Sequence, residues 1–202
     1  MLCVRTILTG LAIDSPQNRV KPVRLGWVIV NTLSLHTSCD GFQALPPEYA
    51  RAILANALAL QRQAAKGAVL PLLKGRNFAL LYSSEADAAQ ALFHRAATEL
   101  GAQVAHLRFD PSDLSVLAVP QEAQKTAQVL GRLYDALECQ GLTPELVRQL
   151  TQEAGVPVFN ALASPEHPTA AITACLGDIQ AAADDRRMVL QAVLLHALGV
   201  GL

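Results

Sequence analysis

Aromatic residues are scarce in this chain of 202 residues: Phe, Tyr and Trp together make up 4% of it, with a single Trp. A core without large rings has to be built from Ala, Leu and Val, as in helices packed on a buried sheet. Cysteine is also sparse. Cys3, Cys39, Cys139 and Cys175 stand far apart and form no Cys-x-x-Cys pair, which argues for four reduced thiols over a disulfide frame or a zinc site. His36, His94, His106, His167 and His196 show no ligand spacing with acids or Cys, so neither a metal nor a cofactor is expected. No glycine-rich phosphate loop of the Gly-x-Gly-x-x-Gly or Gly-x4-Gly-Lys-Ser/Thr kind follows a strand. The Gly-x-Ser-x-Gly elbow that would make a hydrolase of Ser83-Ser84 with His94 or His106 is missing. Charge is low and balanced, 16 basic against 17 acidic residues with a formal charge of −1 and no Lys/Arg cluster. Electrostatic binding of nucleic acid therefore has no support. No apolar run approaches the ~20 residues that span a bilayer, and residues 1–13 make a poor signal peptide. The expectation is a cytoplasmic protein with neither nucleic acid nor membrane as partner.

What is present is alternation of strands and helices. Residues 1–44 carry the weakest pattern, with a β-branched run at 25–35 that reads as a strand and a turn-rich gap at 14–21. From Pro46 a helical stripe of Ala50, Ile53, Leu54, Ala57 and Leu58 runs to a stop at Gly67. The centre is residues 73–107. Asn77–Tyr82 is a short apolar run suited to a buried parallel strand. Ser84, with Asp87 three residues on, reads as a capping box. Ala89, Leu92, Phe93, Ala96 and Leu100 recur at helical spacing to a C-cap at Gly101. A second strand follows at 103–107. Such a unit implies a right-handed crossover and a parallel sheet, with ligands at the carboxyl ends of the strands, hence at the 83–87 turn. Beyond it the pattern predicts an irregular loop at 108–120, a helix over 121–137 and a brief strand at Ala136–Gln140 that overlaps its end. Thr143-Pro144-Glu145 opens another helix, which ends at Gly155. A fourth strand at 156–161, a loop at 163–167, a helix from Pro168 toward Ala182 and a last helix from about Asp184 to Gly199 complete it. The fold class is α/β, a three-layer α/β/α domain with a short parallel sheet.

Several stretches, in this order and spacing, resemble the aspartate and ornithine carbamoyltransferases. LPLLKGRNFALLY looks like the family's first strand and lead-in, and LFHRAATELGAQVAHL like the helix and strand that follow. TAQVLGRLYDAL resembles the helix before the third strand, AGVPVFNALASPEHP the fourth strand and the His-Pro motif, and DDRRMVLQAVLLHALG the C-terminal helix. The resemblance implies a carbamoyl-phosphate domain over 45–183, a C-terminal helix over 184–202 packing back on it, and a 1–44 extension of unassigned structure.

The family transfers a carbamoyl group from carbamoyl phosphate to an amine, and the departures from its pattern bear on that chemistry. The Ser-Thr-Arg-Thr motif falls on Ala86, Asp87, Ala88 and Ala89, with Gln90 where a further Arg is usual, so none of the four is kept. A carboxylate at a helix N-terminus opposes an anion there: at ~5 Å the repulsion is roughly 3 kcal/mol per charge pair at an effective dielectric of 20. Glu138-Cys139-Gln140 stands where an Arg follows the third strand. His167 and Pro168 are kept, with Ala170 in place of the motif's Gln. The family's amine-binding domain lies between the His-Pro helix and the last helix, where ~15 residues separate His167 from Ala182 here. The resemblance therefore implies His167 as the candidate catalytic residue and Ser83, Ser84, Asp87, His167 and Pro168 as candidate ligand contacts. Read without the resemblance, His167 is a loop residue ahead of a helix-starting Pro. The expected function is a degenerate, non-catalytic family member acting in binding or assembly, a homotrimer with a small anionic or neutral ligand. The alternative is an active carbamoyltransferase, or a subunit of a full-length one.

Overall fold

A computed structural model of the chain describes residues 45–67, 71–84, 87–176 and 182–201. The strand expected at 25–35 and the turn at 14–21 lie outside these. Helix α1 (Pro47–Ala65) opens on Pro at its first position, where the missing N–H would have had no partner. It buries Tyr49, Ile53, Ala57 and Leu60, a stripe at three- and four-residue spacing. Strand β1 (Asn77–Tyr82) has the bounds its apolar run predicts. Helix α2 (Ala88–Glu99) and strand β2 (Gln103–Arg108) follow. Gly101 between them has φ 87°, and a Cβ there would stand 2.9 Å from that of Pro71. Both the left-handed backbone and the close approach require glycine.

The region expected to be an irregular loop contains a helix, α3 (Pro111–Leu117). Asp110 caps it by accepting from Ser112 N at 2.8 Å and Asp113 N at 3.0 Å, while Asp113 returns a bond from Asp110 N. This capping box, with Pro at the first position, outweighed the turn-like composition. Helix α4 (Pro120–Leu133) stops short, so Ala136–Gln140 is wholly strand β3. Asp135 at the junction holds Asn77 N at 2.9 Å and Arg76 at 2.7 Å. Thr143 caps α5 (Pro144–Glu153) as expected. Strand β4 is only Val158–Asn160. Past Pro168 the chain makes a four-residue helix, α6 (Ala170–Thr173), and a 3-10 turn, Ala174–Leu176, where a longer helix was expected. Helix α7 (Ala182–Ala197) begins two residues ahead of Asp184.

Among the described residues all pairings are parallel and the strand order is β2-β1-β3-β4. The strand period of two sorts the core onto two faces. Phe78 and Leu80 meet α1, α2 and α7 through Ile53, Phe93 and Leu190. Ala79, Leu81, Leu137 and Val158 meet α4 and α5 through Ala127, Leu130 and Leu150. The result is the expected three-layer α/β/α arrangement. Helix α7 is fastened to α2 by Arg187, which pairs with Glu99 and with Asp184, and by Gln191, which donates to Ala96 O at 3.3 Å.

Gly131 sits where α4 approaches the end of α5: a Cβ there would lie 1.7 Å from Ala154 O. Replacing it with Ala forces the two helices apart, and Ala's better helix propensity does not compensate. Gly131→Ala should destabilise the domain by roughly 1–3 kcal/mol, read as a lower urea midpoint; an unchanged midpoint would show that this approach is not tight.

Candidate functional site

The strand order reverses at β1. Its chain neighbour β2 lies on one side and β3 on the other, so the crevice between the carboxyl ends of β1 and β3 is the place for a ligand in such a sheet. Ser83 leaves β1 there and its hydroxyl donates to Gly141 O, just past β3, at 2.5 Å. Gly141 has φ 68°, and a Cβ on it would come within 3.0 Å of the Ser83 oxygen. The two loops close over the switch point through this contact.

Asp87, not Ser84, caps α2. Its side chain accepts from Gln90 N at 2.8 Å, and the helix begins at Ala88. The expected Ser84–Asp87 box is therefore wrong by one turn: Asp is as good a cap as Ser and stands where its carboxylate reaches the third N–H of the helix. Ser84 is solvent-exposed beside Gly141. Ser83, Ser84 and Asp87 are thus gathered at the β1 exit.

His167 and Pro168 come from the loop after β4 and are half-buried. Among the described residues no hydrogen bond joins His167 to Ser83, Ser84 or Asp87. Its Nδ1 instead lies 2.9 Å from Thr169 Oγ1 and accepts from Thr169 N at 3.3 Å. Burial, and the nearby Arg186 guanidinium, push its pKa down to about 4. At neutral pH the ring is an uncharged hydrogen-bonding group.

Two residues of this region were not among the candidates read from the sequence. Glu138, in the middle of β3, is fully buried, and its Oε1 accepts from Leu162 N at 2.8 Å and from Gln140 Nε2 at 3.2 Å. Arg186 on α7 is also buried; it donates to Leu162 O at 2.5 Å, to Ser164 O at 3.3 Å and to Thr169 Oγ1 at 3.0 Å. The signal for Glu138 was an acid inside an otherwise apolar strand. Arg186 offered none, since paired arginines at the start of a helix usually face solvent. Burial raises the Glu138 carboxyl to about 8, against smaller opposing pulls from Gln140, Leu162 N–H and Arg186. Among the described residues no ion pair joins Glu138 to Arg186, so the cation does not hold the acid ionised. Glu138 Oε2, Gln140 Oε1 and Arg186 Nε are buried and have no hydrogen-bond partner among the described residues. A cavity of about 350 Å³ lies between Asn77, Gln103 and Tyr134, at the amino ends of the strands and away from this crevice.

Residues 40–177 match the family described as aspartate/ornithine carbamoyltransferase, carbamoyl-P binding domain. The chain belongs to that family. It is 38% identical over 110 residues to the catabolic ornithine carbamoyltransferase of Burkholderia mallei, a match covering 54% of this chain and 32% of that protein. The ornithine carbamoyltransferase of Pyrococcus furiosus superposes with a TM-score of 0.53 at 25% identity, over 64% of this chain and 40% of that one. That of Burkholderia thailandensis superposes at 0.54 and 18% identity, over 64% and 43%, a likeness of fold. The chain thus spans about a third of the length of the curated relative it matches, the part that corresponds to a carbamoyl-P binding domain. Among the described residues no helix is long and apolar enough to cross a membrane.

The carboxyl of Glu138 gives a stability signature. Its folded pKa of about 8 lies above the ordinary carboxyl value of 4.5, so the stabilisation it confers is complete below pH 4.5 and is lost as pH rises to 8. His167, with a lowered folded pKa, acts in the opposite sense but only below pH 6.5. Between pH 6.5 and 8 the unfolding free energy should therefore fall by up to about 1.4 kcal/mol per pH unit. Urea titrations across this window should show the slope in the native chain and a flat profile in Glu138→Gln; an equal slope in the variant would assign it elsewhere.

Proposed function

We propose that this chain is a carbamoyltransferase-like domain that does not catalyse carbamoyl transfer and serves in binding or assembly. The observation that carries this reading is Asp87. The resemblance puts the phosphate of carbamoyl phosphate at the N-terminus of α2, where free N–H groups and the helix dipole attract anions. Here the Asp87 carboxylate takes the Gln90 N–H at 2.8 Å, so a donor is already used and a negative charge stands in its place. No Arg occurs between Arg76 and Arg95 to offset it. Gln140, neutral, is the last residue of β3, where the resemblance calls for an Arg just beyond the strand. Ala170 replaces the Gln of the His-Pro motif. The amine-binding domain belongs, by the same resemblance, between the His-Pro helix and the last helix, and residues 177–181 alone connect Leu176 to α7.

Melting curves with millimolar carbamoyl phosphate, phosphate, ornithine or aspartate test this. Carbamoyl phosphate is expected to leave the melting temperature unchanged. A saturable rise, which a ligand binding only the folded state must produce, would show that the anion binds despite Asp87, and citrulline formation from carbamoyl phosphate and ornithine would overturn the reading in favour of an active carbamoyltransferase.

Assembly is the role that the remaining surface favours. The resemblance implies a homotrimer made by carbamoyl-phosphate domains. Mean hydropathy is +0.28, and Val116, Val129 and Leu133 are 55%, 53% and 60% exposed, an apolar excess that subunit contacts would cover. Light scattering coupled to size exclusion should give a mass near three times 21.5 kDa; a mass near 21.5 kDa at micromolar concentration would remove the assembly role.

A further inference from the structure

His94 and His106 are twelve residues apart in sequence, and the α2–β2 turn brings them face to face at the surface. His94 lies on the last half of α2. His106 lies on β2, the edge strand among the described residues, on the same sheet face as Tyr82, whose ring meets it edge-on with centroids 6.1 Å apart. His94 Nδ1 and His106 Nε2 are 2.8 Å apart and the ring centroids 5.0 Å. His106 is exposed and His94 half-buried, so the paired nitrogens sit at the solvent boundary.

We propose that His94 and His106 form a two-imidazole site for a divalent transition-metal cation of the nickel, copper and zinc class. Imidazole nitrogen suits these ions. With metal–nitrogen bonds of ~2.0–2.1 Å, two rings meeting at angles between a right angle and a tetrahedral one have nitrogens roughly 2.9–3.4 Å apart and centroids roughly 4.5–5.3 Å apart. The observed spacings, 2.8 Å between nitrogens and 5.0 Å between centroids, set the rings nearly head-on, so binding needs side-chain rotation that parts the nitrogens by roughly 0.1–0.6 Å and turns both lone pairs toward one point. One of the two facing nitrogens carries the shared proton, so the donor ring passes it to its own other nitrogen through solvent, and both rings then offer a lone pair while staying neutral. Arg95, the cation beside His94 in the chain, is drawn aside by Glu99 at 2.9 Å. Among the described residues no third His, Cys, Asp or Glu joins the pair, so water completes the coordination and the site remains open. Bound metal would cross-link α2 to a strand that, among the described residues, has a single β neighbour.

Calorimetric titration of the full chain with NiCl2 tests this. One Ni2+ per chain should bind, with affinity reduced about tenfold or more in His94→Ala and in His106→Ala and retained in His196→Ala. Melting in EDTA reports whether each variant is folded. In the native chain, substoichiometric Ni2+ should broaden the ring resonances of His94 and His106 before those of other histidines, a readout that needs no variant. At a hundredfold excess of Ni2+ over its Kd the melting temperature should rise by roughly 5–10 °C. Absence of saturable binding up to millimolar Ni2+, equal binding by the two variants, or first broadening at other histidines would each overturn the proposal.

Discussion

The peptide unit of Leu162 is gripped at both ends by buried side chains. Its neighbours in the fold are the two that sequence order keeps apart: Glu138 from β3 takes the N–H, and Arg186 from α7 takes the C=O. The loop after β4 has no regular partner for its backbone, and buried backbone groups left unpaired cost about as much as lost hydrogen bonds. A carboxyl and a guanidinium supply the bonds that a strand or helix would otherwise have given. The same guanidinium reaches Ser164 O and Thr169 Oγ1, so the position of His167 is set through Thr169 by a helix at the other end of the chain.

This arrangement has an electrostatic cost that the fold meets by different means on each side. Glu138 is relieved by protonation, as its raised pKa records. Arg186 keeps its charge and surrounds it with oxygen acceptors, as a buried guanidinium must. An acid that is neutral near pH 7 in the β3 strand is a poor partner for a cation and does not repel an anion. The negative charge that does oppose an anion lies across the crevice, on Asp87, at the position where the helix dipole would attract one. The helix terminus and the network around Leu162 are therefore separate constraints. One decides what charge the crevice tolerates; the other decides where its far wall stands.

The crevice itself is a product of topology. β1 feeds β2 on one side and lies beside β3 on the other, and the loops leaving β1 and β3 touch through Ser83 and Gly141. The small side of this contact is backbone, so Gly141 is required by shape as well as by its φ of 68°. Likewise α7 reaches back over α1 and α2, with Asp185 accepting from Gln61 at 3.2 Å and Arg187 holding Glu99. These bonds close the face of the sheet that Glu138 points toward.

The amino-acid sequence by itself determined the features that depend on near neighbours. The bounds of β1 and β3, the glycine stop at Gly101 and the Thr143-Pro144 start follow from apolar runs, caps and φ preferences that act within a few residues. The order of those pieces also carried the family. Where two local signals competed, reading failed: Ser84 and Asp87 are both good caps, and Asp110-Pro111 reads as a turn as easily as a helix start. Tertiary structure decided which cap was used, because the path out of β1 fixes where the helix can begin. It alone joined Glu138 and Arg186 to one peptide, and His94 to His106, since those meetings depend on strand register and on which helix covers which face. A side chain's pattern in sequence states its own preference for water or for a helix; it does not state what polar group a distant segment will place beside it.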